Sequence, residues 1–180
     1  AEAYGELGYA YQKLGRTAQA VEAYNRAIRL NPKLVNPHTS LGDIYYEAKQ
    51  YAQALEPYKQ SLRLNPNNVR VLFNLGFIYN DLERYSEALA PLQQAVSLKP
   101  ELANSHNELG YALHGVRRYA EAIASYRQAI RLAPNFELAH YYLGLAHLAT
   151  GDRRSALDEH KALQSLNSKY AAQLYNAINK

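Results

Sequence analysis

AEAYGELGYAYQKLGRTAQAVEAYNRAIRLNPKL, residues 1–34, is the stretch that decides the fold, because its pattern returns four more times along the 180-residue chain. Leu7-Gly8 reappears as Leu41-Gly42, Leu75-Gly76, Leu109-Gly110 and Leu143-Gly144, at steps of 34 residues. Ala20, Ala54, Ala88, Ala122 and Ala156 keep the same period. So do Pro32, Pro66, Pro100 and Pro134, with Ser168 in the fifth place. Three series at one spacing mean a stack of identical supersecondary units, each burying its apolar face against its neighbours.

Inside a unit the periodicity is helical. Tyr4, Leu7, Gly8 and Tyr11 lie on one helix face, and after Gly15-Arg16 a second stripe begins with Ala20, Val21, Tyr24, Ala27 and Ile28. Asn31-Pro32 ends it, since proline cannot continue the hydrogen-bonded turn. Each unit is therefore a helix A, a tight turn, a helix B and a proline-marked turn. A glycine inside helix A costs roughly 1 kcal/mol against alanine, so its recurrence needs a packing reason. The sequence suggests close approach of helices A and B, with Ala20 and Ala27 as the matching small residues. Pro57 and Pro91 fall inside second helices, where a mild kink is expected rather than a break.

The run Tyr4, Leu7, Gly8, Tyr11, Ala20, Tyr24, Ala27, Pro32 resembles the tetratricopeptide repeat (TPR) signature, with Tyr4 in place of the usual first Trp. The resemblance covers residues 1–170 as five repeats, 1–34, 35–68, 69–102, 103–136 and 137–170. It departs where His38, Leu72, His106 and His140 take the first large position, and where His147 and His160 replace the tyrosines of the first unit. Residues 171–180, with Leu174, Ala177 and Ile178 in the next stripe, read as a C-terminal capping helix. The fold class so implied is all-α, a right-handed alpha-alpha superhelix (TPR solenoid) of five helical hairpins plus that cap. The function implied is a protein–protein interaction scaffold or adaptor rather than an enzyme.

The resemblance further implies that helix A lines a concave groove. A stripe offset from the packed one then faces a ligand, and it carries Tyr9, Asp43, Tyr46, Arg70, Phe73, Phe77, Asn104, Asn107, Tyr111, Leu138, Tyr141 and Leu145, with Asn74 beside it. These positions are expected to have no packing duty within the chain. Aromatic anchors with amide neighbours suit a bound peptide, because Asn both donates and accepts. Helix A segments hold seven acids, Glu2, Glu6, Asp43, Glu47, Asp81, Glu108 and Glu137, against the bases Lys13 and Arg70. A basic, partly apolar peptide is the favoured ligand. Some family members hold a C-terminal carboxylate with Lys, Asn and Arg; of the matching positions only Arg70 and Asn74 carry that chemistry, so the specificity is not transferred. An asparagine ladder found in other long arrays reads Glu6, Ser40, Asn74, Glu108 and Tyr142 here and is absent.

The remaining readings are narrower. The chain has no cysteine, which removes disulfides, thiolate zinc sites and thiol catalysis. No phosphate loop, nucleophile elbow or paired-carboxylate motif appears, and no cofactor is expected. His140, His147 and His160 could converge on a metal, but packed histidines are the commoner outcome and no metal site is assigned. A net charge of +4 with Arg29, Arg63 and Arg131 on helix B permits nucleic-acid contact through the basic convex face, as a lesser alternative without a stacking platform. Self-association through Leu138, Tyr141, Leu145 and Leu148 is the other alternative, leaving monomer or homodimer open. No apolar run reaches the roughly 20 residues of a membrane span. A cytoplasmic or periplasmic setting, weakly bacterial, fits the composition, and the opening directly on a repeat suggests a piece of a longer protein.

Overall fold

The computed structural model describes all 180 residues. It contains eleven helices: α1 (Glu2–Lys13), α2 (Thr17–Leu30), α3 (Val35–Glu47), α4 (Tyr51–Leu64), α5 (Val69–Asp81), α6 (Tyr85–Leu98), α7 (Ala103–Gly115), α8 (Tyr119–Leu132), α9 (Glu137–Ala149), α10 (Arg153–Ser165) and α11 (Tyr170–Ile178). The odd-numbered helices from α1 to α9 are the A helices and the even ones the B helices. α4 and α6 run unbroken through Pro57 and Pro91. Two compact units divide the chain, Ala1–Ile78 and Tyr79–Lys180.

The turn between A and B is the same at every repeat. Gly15, Lys49, Glu83, Arg117 and Gly151 all have positive φ, from 56° to 79°. The next amide reaches back five residues to close the helix end: Arg16 N–H to the Tyr11 carbonyl at 2.9 Å, Gln50 to Tyr45 at 2.8 Å, Arg118 to Leu113 at 2.9 Å. This is the left-handed C-terminal stop that satisfies orphan carbonyls. The turn from B to the next A relies on an extended residue before proline, Asn31 at φ −149° or Ala133 at −139°, the conformation that a following proline enforces.

Histidine then locks that turn. His38 Nε2 donates to the Pro32 carbonyl at 3.0 Å, His106 to Pro100 at 2.9 Å and His140 to Pro134 at 2.9 Å. The first large position of helix A is thus a hydrogen-bonding position as well as a packing one wherever histidine takes it; Tyr4 and Leu72 hold it in the other two repeats.

The first compact unit centres on Ala20, Tyr24, Leu41 and Ile44, with Tyr11, Val21, Ile28 and Tyr45 around them. Every member of the period-34 alanine series is completely buried. The glycine seam differs from the expected one. A Cβ on Gly8 would lie 2.6 Å from the Tyr24 ring, and one on Gly110 would lie 2.7 Å from the Tyr126 ring. Gly42 faces Tyr58 in the same way. The small residue therefore admits an aromatic ring from helix B, not Ala20 and Ala27. In the last hairpin, where His160 replaces that tyrosine, Gly144 faces Leu174 of α11 instead.

In the second compact unit α11 packs on both α9 and α10. Ala156, Leu163, Leu174 and Ile178 form its core, flanked by Tyr141, Leu145, Leu148, Leu157 and Tyr170. Three of the four residues proposed for self-association, Tyr141, Leu145 and Leu148, are thus half-buried under a helix of the same chain.

Candidate functional site

In the first unit the A helices and Arg70 enclose a cavity of about 530 Å³. Glu2, Glu6 and Tyr9 of α1 form one wall; Val35, Pro37 and Asp43 of α3 form the other. Tyr9 is 54% exposed, with the Lys13 ammonium 5.2 Å from its ring centre. Asp43 is not the free carboxylate expected from the sequence. Arg70 grips it with two parallel bonds, Nη1 to Oδ1 at 2.5 Å and Nη2 to Oδ2 at 3.0 Å. The Tyr58 hydroxyl donates to Asp43 Oδ1 at 2.7 Å and accepts from Asn74 Nδ2 at 3.0 Å. This chain of bonds runs from a helix B hydroxyl through an acid to a guanidinium. Burial and the adjoining carboxylate push the Tyr58 phenol well above its ordinary value, so it acts only as a neutral donor and acceptor.

The aromatic positions of the first unit are engaged too. Phe77 meets Tyr46 edge-on at 5.8 Å and Tyr51 at 6.0 Å, and Tyr46 lies 5.8 Å from Tyr51. Phe73 is half-buried. The expectation that this stripe is without packing duty fails for Phe77 and Tyr46, because neighbouring A helices stand close enough for their rings to meet.

In the second unit Asn104 is exposed, whereas Asn107 is only 2% exposed. Tyr111 contacts the Tyr142 ring at 4.9 Å and the Tyr85 ring at 5.7 Å. Tyr141 touches Tyr142 at 5.3 Å and Tyr170 at 5.3 Å. Leu138 is half-buried. Leu145 packs on the core under α11. Again curvature between A helices turns part of the stripe inward. Glu108 is half-buried between Asn80 and Asn107, and burial raises its carboxyl above the ordinary value of 4.5.

The histidines of the last hairpin have separate partners. His140 Nδ1 meets Glu159 at 2.6 Å, His147 Nδ1 lies 3.4 Å from Asp152, and His160 Nδ1 binds the Ala171 carbonyl at 3.0 Å. No three potential ligands converge as a metal site would require. On the B helices Arg29, Arg63 and Arg131 are exposed, while Arg118 is paired with Glu121 at 2.6 Å. No helix is long and apolar enough to cross a membrane.

The sequence reading missed the role of Tyr24, Tyr58 and Tyr126. They share one position of the repeat, which Leu92 takes between the last two, and the periodicity places Tyr24 only in the packed stripe. Their hydroxyls lie among the polar groups of the A helices: Tyr24 bonds Gln12 at 2.9 Å and Tyr58 bonds Asp43.

Comparison with known proteins agrees with this architecture. The tetratricopeptide repeat pattern matches residues 1–34, and the TPR repeat pattern matches residues 42–82, 78–116 and 118–151. A crystal structure of MamA protein is 25% identical, covers 91% of this chain and 90% of that one, and gives a TM-score of 0.83. MamA of AMB-1 is 28% identical over 92% of this chain and 90% of that one, with a TM-score of 0.81. YrrB, described as a TPR protein with an unusual peptide-binding site, gives a TM-score of 0.90 at 20% identity over 96% of this chain and 90% of that one. No curated protein matches the sequence significantly. With the repeat patterns spanning most of the chain, and the hairpins, glycine seam and turns built as described, the protein belongs to the tetratricopeptide repeat family of interaction scaffolds.

Proposed function

We propose that this chain is an adaptor that holds a basic, partly apolar peptide segment against its A helices. The observation that carries this reading is the cavity of about 530 Å³ in the first unit, within the range of sites that enclose a small group. Its rim carries the exposed carboxylates Glu2 and Glu6 and the exposed ring of Tyr9. Its wall is apolar at Val35 and Pro37. A carboxylate pair beside an accessible tyrosine ring attracts an ammonium or guanidinium, first by charge and then by the ring quadrupole. Lys13 already lies over the Tyr9 ring, as an incoming cation would. The acidic rim also disfavours a phosphate backbone on this side.

A peptide array read at low and high salt tests the reading. Basic-apolar peptides should be enriched at low salt and weakened at high salt, since charges at an exposed rim are screened. The double change Glu2→Gln and Glu6→Gln should reduce their binding by about three- to tenfold, with the melting temperature unchanged. Enrichment of acidic peptides, or retention on RNA with no peptide bound, would refute it.

A further inference from the structure

The second compact unit gathers side-chain oxygens around a carboxylate at one place, with no cationic donor among them. Glu108 takes Asn80 Nδ2 at 2.9 Å and Asn107 Nδ2 at 3.4 Å. No lysine or arginine of the chain pairs with it. The Oδ1 atoms of the same two asparagines are buried without a hydrogen-bond partner, and so is the Tyr126 hydroxyl. Tyr126 is completely buried, and its hydroxyl feels the charge of Glu108. Such buried polar groups ordinarily find partners. Here the unmatched atoms are oxygens that stand with a carboxylate.

The first unit shows how the same framework is completed. Tyr58 and Tyr126 hold equivalent places two repeats apart. The Tyr58 hydroxyl meets Asp43, and Asp43 is closed by the guanidinium of Arg70. Two repeats on, Arg70 is replaced by Leu138, Asp43 by Tyr111 and Asn74 by Tyr142. The acid has moved one turn of helix to Glu108, and no guanidinium accompanies it. In its place stand rings: Tyr142 lies 4.9 Å from Tyr111 and stacks on Tyr126 at 6.0 Å. Glu108, Tyr111 and Tyr142 are each half-buried and so keep a solvent-facing part.

We infer that this nest is a socket for the guanidinium of an arginine side chain on a bound peptide, with Glu108 as the charge partner, the Asn80, Asn107 and Tyr126 oxygens as further acceptors, and Tyr111 and Tyr142 as the walls. A guanidinium brings five N–H donors in one plane and stacks on aromatic faces, which an ammonium does less well. The inference rests on the peptide-binding reading above and adds a residue type and a place to it.

The blocked hexapeptide Ac-ALRALA-NH2 and its lysine, citrulline and glutamine versions, titrated into the isotope-labelled full chain, provide the test. The arginine peptide should shift the amide signals of Gly110, Tyr111 and Tyr142. The citrulline version, which keeps the shape and loses the charge, should bind about tenfold or more weakly. Glu108→Gln should abolish that difference. Its melting temperature should match or exceed the parent's, because an amide in place of a half-buried carboxylate that no lysine or arginine pairs with removes a desolvation cost. Tyr126→Phe, which keeps the ring, should weaken the arginine peptide several-fold and leave the citrulline peptide unchanged. Equal binding of arginine and citrulline peptides, tighter binding of lysine, or shifts confined to residues 1–78 would overturn the socket while leaving peptide binding intact. Absence of shifts with all four peptides would overturn both.

Discussion

The imidazole of His140 lies between two acceptors, the Pro134 carbonyl at Nε2 and the Glu159 carboxylate at Nδ1. Only the doubly protonated ring satisfies both, and the Glu159 bond is the first reason its pKa stands above the ordinary 6.5. A base held protonated by the fold contributes stability that is complete below its unfolded value and disappears as the pH rises through its folded value. The melting temperature should therefore decline as the pH is raised from about 6 into the alkaline range, and Glu159→Gln should flatten that decline. A parent and variant with parallel profiles would remove His140 from the explanation. This role was half legible in the sequence. Pro32 with His38, Pro100 with His106 and Pro134 with His140 share a spacing of six, but only the folded turn shows that the ring reaches the carbonyl.

At the scale of the element, the turn from A to B has one left-handed residue per hairpin. Gly15 and Gly151 adopt it without penalty, whereas Lys49, Glu83 and Arg117 have side chains there. A Cβ in that region is disfavoured by about 1–2 kcal/mol, partly offset in a glycine variant by the greater freedom of its unfolded chain. Arg117→Gly, at φ 63°, should raise unfolding stability by about 0.5–1 kcal/mol, read from the urea midpoint at constant slope. An unchanged or lower midpoint would show that Arg117 makes a compensating contact. Helix existence and order were legible from the 34-residue period. The glycine seam was only partly so: a small residue was needed, but which partner it admits depends on the angle at which helix B presents Tyr24, Tyr58 and Tyr126.

For the molecule as a whole, the first and the fifth hairpins differ in how their apolar faces are covered. Leu7 is 41% exposed, while its equivalents Leu41, Leu75, Leu109 and Leu143 are all buried to 7% or less. Leu174 and Ile178 of α11 are buried against the fifth hairpin, with Leu174 filling the place before Gly144. Leu174→Ala should destabilise the protein by about 2–4 kcal/mol, as a buried leucine truncation does. The loss should appear as early hydrogen exchange in α9 and α10. Unaltered exchange there would mean that the cap is dispensable.

The sequence by itself determined the number, order and polarity of the helices and the place of every turn, because a period of 34 residues imposes one local solution on each repeat. It also determined which residues form the A-helix stripe. Only the tertiary structure decided which of them face outward. Asn107 is buried, Phe77 meets other rings, and Asp43 is closed by Arg70. Tyr9 stays open. Helical spacing places a side chain on a face, but the approach of the next helix, and the charge it brings, decides whether that face meets solvent or another residue.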